Sequence, residues 1–220
     1  MADITDMSLP DPRPQGLSDE PHPELKEERL SGESVYRGTL LHVHRDWVRA
    51  PDGHEQSFEY TLHPGAAAVV PMLDDGRLVM ERQWRYAMNR SFLEFPAGKL
   101  MANEDPWRAI QRELAEETGY TACQWARLGV MHPVIAYSTE AIHLFMARSL
   151  VPGPAARELG ECMELVTVSV QEFFDAVYRG EVTDSKHWPV DYGWIVCVVG
   201  SGWCHGLRIK RQIRFSDRCR

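Results

Sequence analysis

Short apolar runs separated by turn-forming residues dominate the chain after residue 34. Runs at 36–48 and 56–62 flank a Pro-Asp-Gly turn, and runs at 66–72 and 77–86 flank an Asp-Asp-Gly turn. This pattern predicts two pairs of antiparallel strands. Further runs of the same kind predict strands at 92–95, 124–132, 141–147 and 163–168.

Two other segments have the signals of helices. The first begins after Asp105, which can cap a helix, with Pro106 suited to the first turn and Gly119 placed to end it. The second spans 169–178, where Ser169 can form a capping box with the glutamate three residues later. Because strands outnumber helices, we predict an α+β fold in which helices flank a mixed sheet.

Composition limits the class of function. The 220 residues have a formal net charge of -8, whereas nucleic-acid-binding domains usually have a high pI with clustered Lys and Arg, so we expect no nucleic-acid partner. The apolar run at 192–203 is too short to cross a bilayer, so we expect no membrane partner. Five widely spaced cysteines are typical of reduced thiols, and we expect a cytoplasmic protein.

Composition and the pattern of apolar runs divide the chain into four segments. Residues 1–33 are acidic and rich in proline, and we predict disorder because they can bury little apolar surface. Residues 34–62 contain the first strand pair, and residues 63–186 contain the remaining strands and both helices. Residues 187–220 have no clear period, so their structure is left unassigned.

Three carboxylates are crowded on the first predicted helix. Glu113, Glu116 and Glu117 lie three and four residues apart and therefore share one side of the helix. Like charges at this spacing destabilise a helix by roughly 0.2–0.5 kcal/mol per pair. A hard divalent cation would offset this repulsion, because Mg²⁺ prefers carboxylate oxygens. The alternative is a solvated acidic face without a ligand.

The wider spacing around these carboxylates resembles the Nudix box, Gly-x5-Glu-x7-Arg-Glu-U-x-Glu-Glu-x-Gly-U, where U is a bulky aliphatic or aromatic residue. Every defined position is matched, by Gly98, Glu104, Arg112, Glu113, Leu114, Glu116, Glu117, Gly119 and Tyr120. The resemblance implies a Nudix α/β/α sandwich preceded by an N-terminal antiparallel strand region. It also implies hydrolysis of a nucleoside diphosphate linked to another group.

In that family the box helix binds the metal, which we expect to be Mg²⁺, with Mn²⁺ as the alternative. On this chain the resemblance implies that Glu113 and Glu117 are the leading ligands and that Glu116 shares the metal cluster. It also implies that Arg112 orients a box carboxylate, which we expect to be Glu104.

The flanking segments are similar to the ADP-ribose pyrophosphatase branch of the family, over residues 63–99 and in the IHLFMA and GEVTDSK segments. This similarity implies hydrolysis of ADP-ribose to AMP and ribose 5-phosphate, or of a related nucleoside diphosphate sugar such as GDP-mannose. Two other classes stay open: a Nudix pyrophosphatase acting on nucleoside triphosphates, and a non-catalytic ADP-ribose-binding module.

The branch also implies residues outside the box helix. The carbonyl of Ala97 is implied as a metal ligand, and a late loop is implied to supply a further ligand and the catalytic base. We assign Glu161 as that ligand and Glu158 as the base, with exchanged roles or Glu164 as alternatives. Glu116 is a further candidate catalytic residue.

Substrate contacts are implied for Arg85, Lys99 and Glu140, with a surface ion pair as the alternative role of Arg85. Trp47 lies on the N-terminal strands and is expected to stack on adenine, or else to pack in the core or a dimer. The resembling enzymes are homodimers, so we expect residues 35–62 to complete the pocket of a second copy.

Overall fold

The computed structural model describes residues 22–157, 160–185 and 215–217. The chain divides into two compact units. The first contains the residues up to His63 together with Val134–Ala141, and the second contains Pro64–Pro133 together with the residues from Ile142 onward. Within the described ranges, no helix is long and apolar enough to span a bilayer.

The first unit contains a three-stranded antiparallel sheet. Its strands are β1 (Glu28–Arg37), β2 (His42–Arg49) and β3 (Glu55–Leu62), with β2 in the middle. Asp46 is buried in this sheet, where Arg29 donates two hydrogen bonds to its carboxylate at 2.8 and 3.0 Å. The hydroxyl of Tyr60 donates a third at 2.9 Å. Burial and this bond raise the pKa of Tyr60 to about 12.

Two predictions for this region are wrong. Residues 28–33, which lie within the segment predicted to be disordered, belong to β1. Every β1 side chain is exposed, so no pattern of buried apolar residues identifies the strand in the sequence. The strand is stabilised instead by backbone pairing with β2 and by cross-strand ion pairs such as Arg49 with Glu28. The predicted strand at 36–48 is two strands, because the chain turns where Gly38 N–H bonds the Leu41 carbonyl. Residues 1–21 lie outside the described residues.

The second unit contains two sheets and two helices. Its elements are β4 (Ala66–Pro71), β5 (Leu78–Arg85), β6 (Arg90–Glu94), β7 (Ala97–Lys99), α1 (Pro106–Thr118), β8 (Tyr120–Met131), β9 (Ile142–Pro152), β10 (Met163–Val168), α2 (Val170–Tyr178) and β11 (Ser216–Asp217). The larger sheet has the order β11-β8-β9-β4-β7 and the smaller one β10-β5-β6. β4 and β9 are parallel and the other pairs antiparallel, so the predicted mixed sheet is confirmed.

Apolar packing on both faces of the larger sheet gives the unit its layers. Ile110 and Leu114 of α1 pack on one face, against Val69 and Phe145 among others. The opposite face packs against the smaller sheet and against Phe173 of α2. All six residues of β4 are buried, as expected for a strand covered on both sides. The layered α/β fold implied by the sequence is therefore confirmed.

The signals at the ends of α1 also act as predicted. The Asp105 carboxylate accepts hydrogen bonds from the backbone N–H groups of Trp107 and Arg108. Gly119 ends the helix in the left-handed conformation, with φ of 76°. A side chain at Gly119 would in addition overlap the Gly153 carbonyl, so a glycine is needed there for two reasons.

One of the two cysteines among the described residues differs from the expectation of reduced thiols. Cys123 on β8 is disulfide-bonded. Cys162, which precedes β10, is free and exposed. The prediction is therefore wrong for Cys123, because spacing along the chain does not report which residues the fold brings together.

Candidate functional site

Helix α1 positions the three crowded carboxylates of the motif. Glu117 is buried, the Glu113 side chain is 13% exposed, and the Glu116 side chain is 36% exposed. This gradient of exposure follows from the amphipathic helix, whose apolar face packs on the larger sheet. The carboxylates therefore lie at the border between the core and solvent.

The short strand β7 approaches these carboxylates with its backbone. Ala97 N–H donates a hydrogen bond of 3.1 Å to Oε2 of Glu117. At Gly98 an added methyl group would overlap the carboxylate of Glu113, so only glycine leaves that space open. The fold thus brings Ala97 together with the two glutamates predicted to be the leading metal ligands.

Two acidic side chains from other elements add to the crowding. Glu81 on β5 is buried, and Glu161 precedes β10. Burial, together with the charges of Glu81, Glu113 and Glu161, raises the pKa of Glu117 to about 9. Burial likewise raises the pKa of Glu113, against the opposing effect of Arg112. In the absence of a cation, the cluster therefore resists full ionisation.

Arg112 offsets part of this negative charge and links Glu104 to the carboxylates of α1. Its Nε and Nη2 donate to the two oxygens of Glu104, each at 3.2 Å, while Nη1 lies 2.9 Å from Glu116 and 2.9 Å from Glu113. The carboxylates raise the pKa of the Arg112 guanidinium, and the pKa of Glu104 is lowered in turn. The contact with Glu104 is the one expected from the sequence.

Arg85 lies at the end of β5 and pairs with a buried partner. Its Nε and Nη2 donate to the two oxygens of Glu94 at 2.7 and 2.8 Å. The Arg85 side chain is 45% exposed, whereas that of Glu94 is 4% exposed. Glu94, with smaller effects from Asp184 and Glu117, raises the pKa of Arg85. The Arg85 ion pair is therefore anchored in the protein interior, and its substrate contact stays a prediction.

The late loop is described only in part. Glu161 lies near enough for its charge to contribute to the raised pKa of Glu113 and Glu117. Glu158 lies outside the described residues. Glu164 is exposed on β10, in register with Arg82 of β5. Lys99 is exposed on β7.

Two predicted substrate contacts belong to the first unit. Trp47 on β2 is 48% exposed, so its alternative role as a core residue is wrong. The Glu140 carboxylate lies 3.9 Å from Nε2 of His63, and its backbone N–H donates to Oγ of Ser138 at 3.2 Å. The role of both residues at a substrate stays a prediction.

Sequence reasoning missed Glu81 and Glu94. The two residues face each other across the β5–β6 ladder, and both are buried. A signal was present, because each is a carboxylate inside an apolar strand, LVME and FLEF, where a charge is costly without a partner or a ligand. Such inward charges on short strands mark candidate site residues.

The donor set fits a hard divalent cation. No three His, Cys, Asp or Glu side chains among the described residues form a ready-made metal-binding group. The cluster nevertheless offers carboxylate oxygens in excess of the positive charge of Arg112, and Gly98 leaves room beside Glu113. Oxygen donors of this kind suit Mg²⁺ or Mn²⁺.

Comparisons with known proteins agree with this arrangement. A family model described as the NUDIX domain matches residues 62–188. An ADP-ribose pyrophosphatase from Bacillus subtilis (strain 168) is 33% identical over 164 residues, which cover 74% of this chain and 89% of that protein. A methanol dehydrogenase activator from Bacillus methanolicus is 32% identical over 164 residues, with the same coverage of 74% and 89%.

One solved structure, described as an ADP compounds hydrolase, matches with a TM-score of 0.67. It is 22% identical and covers 75% of this chain and 92% of that chain. At this identity the likeness concerns the fold alone. The match agrees with the layered α/β fold.

Proposed function

Since this chain belongs to the NUDIX family, we propose that it is a metal-dependent hydrolase that cleaves ADP-ribose into AMP and ribose 5-phosphate. A water molecule attacks one phosphorus of the diphosphate, the new P–O bond replaces the bridging P–O bond, and the water proton passes to a glutamate. Related nucleoside diphosphate sugars are the nearest alternative substrates.

One observation above all supports this proposal. Glu117 is buried and is affected by the charges of Glu81, Glu113 and Glu161, and an added methyl group at Gly98 would overlap the Glu113 carboxylate. A structural role would not require this crowding of carboxylates, since burying like charges together lowers stability. The arrangement has a physical reason if a cation and a diphosphate are its ligands.

We propose that the cation is Mg²⁺. Its ligands in this proposal are Glu113, Glu116, Glu117, Glu161 and the carbonyl of Ala97. When bound, such a cation neutralises diphosphate charge and makes water a stronger nucleophile. Arg112 holds Glu116 through Nη1 and Glu104 through Nε and Nη2, and thereby limits the positions available to the box carboxylates.

The proton acceptor belongs to the late loop in this proposal. Glu161 is the described residue of that loop whose charge reaches the cluster, and Glu158 precedes it by three positions. Single Glu→Gln variants at the two positions separate the roles. Loss of the ionisable base should lower kcat and remove the acidic limb of the pH profile, whereas loss of a ligand should weaken metal binding.

Substrate recognition is assigned to four residues. We propose that Arg85, fixed by Glu94, contacts the diphosphate together with Lys99, because guanidinium and ammonium groups bind phosphate oxygens. We assign Glu140 to a further substrate contact and Trp47 to stacking on adenine. The half-exposed indole is compatible with stacking.

We also propose that the enzyme is a homodimer formed through the first unit. The sheet of this unit exposes several large apolar side chains, namely Leu30, Val35, Tyr36, Trp47 and Phe58. Exposed apolar groups of this kind are typical of protein interfaces. Light scattering on the purified chain should give the mass of two copies, and a fully active monomer would contradict the proposal.

A product assay tests the function directly. The substrates are ADP-ribose, GDP-mannose, diadenosine polyphosphates, reduced dinucleotide and a nucleoside triphosphate, each with Mg²⁺ and with chelator. We expect AMP and ribose 5-phosphate in equal amounts from ADP-ribose, in the presence of Mg²⁺ only. Hydrolysis of triphosphates alone would identify the triphosphate class instead, and ADP-ribose binding without turnover would identify a binding module.

A further inference from the structure

The segment that follows β9 is attached to the C-terminal end of α1 by hydrogen bonds. Gly153 N–H donates to the Gly119 carbonyl at 2.7 Å, and Ala156 N–H donates to the Glu116 carbonyl at 2.9 Å. Nε of Arg157 donates to the Glu117 carbonyl at 2.8 Å. Residues 153–157, which precede Glu161 in the sequence, are therefore attached to residues 116–119 at the end of α1.

Carbonyl groups in the last turn of a helix have no partner within the helix and need donors from elsewhere. They also form the negative end of the helix dipole, where a cation is stabilising. In α1 this end already holds Glu116 and Glu117, whose charges add to the unfavourable potential. A guanidinium at the Glu117 carbonyl thus satisfies a backbone acceptor and offsets negative charge at the same time.

The same guanidinium makes a second contact on the far side of Glu161. Nη1 of Arg157 donates to the carbonyl of Met163, the first residue of β10, at 3.0 Å. Arg157 lies four positions before Glu161 and Met163 two positions after it. The Arg157 side chain therefore connects the end of α1 to the chain on both sides of Glu161, whose charge affects Glu113 and Glu117.

We propose that Arg157 is a positioning residue that holds Glu161 at the carboxylate cluster by bridging the Glu117 and Met163 carbonyls. The inference rests on the proposed function, because it gives Glu161 its role as ligand or base. The planar fork of guanidinium N–H groups reaches two acceptors in fixed directions, which a lysine ammonium does not reproduce. Arg157 acts through Glu161 and needs no contact with the substrate.

The first test compares Arg157→Met and Arg157→Lys with a matched control, Arg179→Met. Arg179 belongs to the same unit and forms an exposed ion pair with Glu181. We expect Arg157→Met to lower kcat/KM for ADP-ribose and the affinity for Mn²⁺ by about 10–100-fold, the usual cost of removing a residue that orients a metal ligand. Arg157→Lys should recover only part of the loss, and the control should match the wild type. Wild-type values in Arg157→Met would overturn the proposal.

A double-mutant cycle with Glu161→Gln distinguishes positioning from a general structural role. If Arg157 acts through Glu161, adding Arg157→Met to Glu161→Gln should cost less than about 2-fold more in activity and in Mn²⁺ affinity. The same 10–100-fold factor in both backgrounds would overturn the proposal. Hydrogen exchange supplies a readout without metal or substrate, since the Ala156 amide should exchange faster in Arg157→Met and unchanged exchange would contradict the bridge.

Failure of the proposed function gives a different result. If the wild-type protein hydrolyses none of the substrates, the function is wrong, while Mn²⁺ affinity and Ala156 exchange still test the bridge. If Glu161→Gln keeps full activity and metal affinity, the role of Glu161 is wrong and the proposal for Arg157 is overturned with it. Additivity in an active enzyme overturns the proposal for Arg157 alone.

Discussion

Buried carboxylates in the two units have opposite surroundings. Asp46 in the first unit receives two hydrogen bonds from Arg29 and one from Tyr60. Glu117 in the second unit receives one from Ala97 N–H and faces the charges of Glu81, Glu113 and Glu161. The first carboxylate is neutralised by the fold, and the second is surrounded by further negative charge.

This difference separates a structural carboxylate from a functional one. A buried charge with a bidentate arginine and a hydroxyl donor needs no further ligand. A buried charge among like charges lowers stability unless it is protonated or binds a cation, which is why burial raises the pKa of Glu117 to about 9. Perturbed groups of this kind mark functional sites more often than paired ones do.

The largest effect should come from Glu117→Gln. We expect kcat/KM to fall by roughly 10³-fold, because a catalytic metal contributes several kcal/mol of transition-state stabilisation. The unfolding free energy of the metal-free protein should stay equal or rise, since the substitution removes a crowded carboxylate. Steady-state kinetics and urea denaturation measure the two quantities. Full Mg²⁺-dependent turnover would contradict the assignment.

Asp46→Asn should lower stability and leave metal binding unchanged, which is the reverse of the result expected for Glu117→Gln. We expect the unfolding free energy to fall by about 1–3 kcal/mol, because the partners of the carboxylate lose a charged acceptor. Metal affinity should match the wild type, as the substituted residue belongs to the first unit. Urea denaturation together with a Mn²⁺ titration checks both points, and a loss of metal affinity would remove the distinction between the two carboxylates.

Gly98→Ala tests the space beside Glu113. The added methyl group would overlap the Glu113 carboxylate and displace it. We expect about 10-fold weaker metal binding, similar to the effect of disturbing an orienting group. A calorimetric titration with Mn²⁺ measures the change. Gly53→Ala is a matched control in open space at a positive φ, and it should leave metal affinity unaltered.

The unfolding free energy of the metal-free protein should depend on pH, with a smaller change for each pH unit than the effects above. Between the usual carboxyl pKa of 4.5 and about 9, folded Glu117 keeps a proton that the unfolded chain releases. The folded state then binds more protons, so stability present at low pH is lost as pH rises, by up to about 1.4 kcal/mol per pH unit. Urea denaturation should show this decline, and saturating Mg²⁺ should reduce it. A flat metal-free profile would argue against a raised pKa.

Local signals explain why part of the structure was predictable. The ends of α1 depend on Asp105 and Gly119, whose effects act within a few residues, and both acted as predicted. The spacing of Glu113 and Glu117 likewise fixes their common side on a helix. These features need no knowledge of the rest of the fold.

Features that depend on pairing between distant segments were missed. β1 has no buried side chain, so its structure depends on a register with β2 that composition does not reveal. Glu81 lies on β5 of the smaller sheet, yet its charge acts on Glu117 of α1. Arg157 contacts the Glu117 carbonyl only because the segment after β9 returns to the helix end. Such contacts follow from tertiary structure and not from local pattern.

A calorimetric titration of the metal-free protein with Mg²⁺ tests the central claim most directly. The wild type and Asp46→Asn should bind the cation with equal affinity and release protons at neutral pH, because the raised pKa of Glu117 keeps that carboxyl protonated before binding. Glu117→Gln should show strongly weakened binding and less proton release. Binding by Glu117→Gln with the stoichiometry and affinity of the wild type would contradict the assignment of the crowded carboxylates to a metal site.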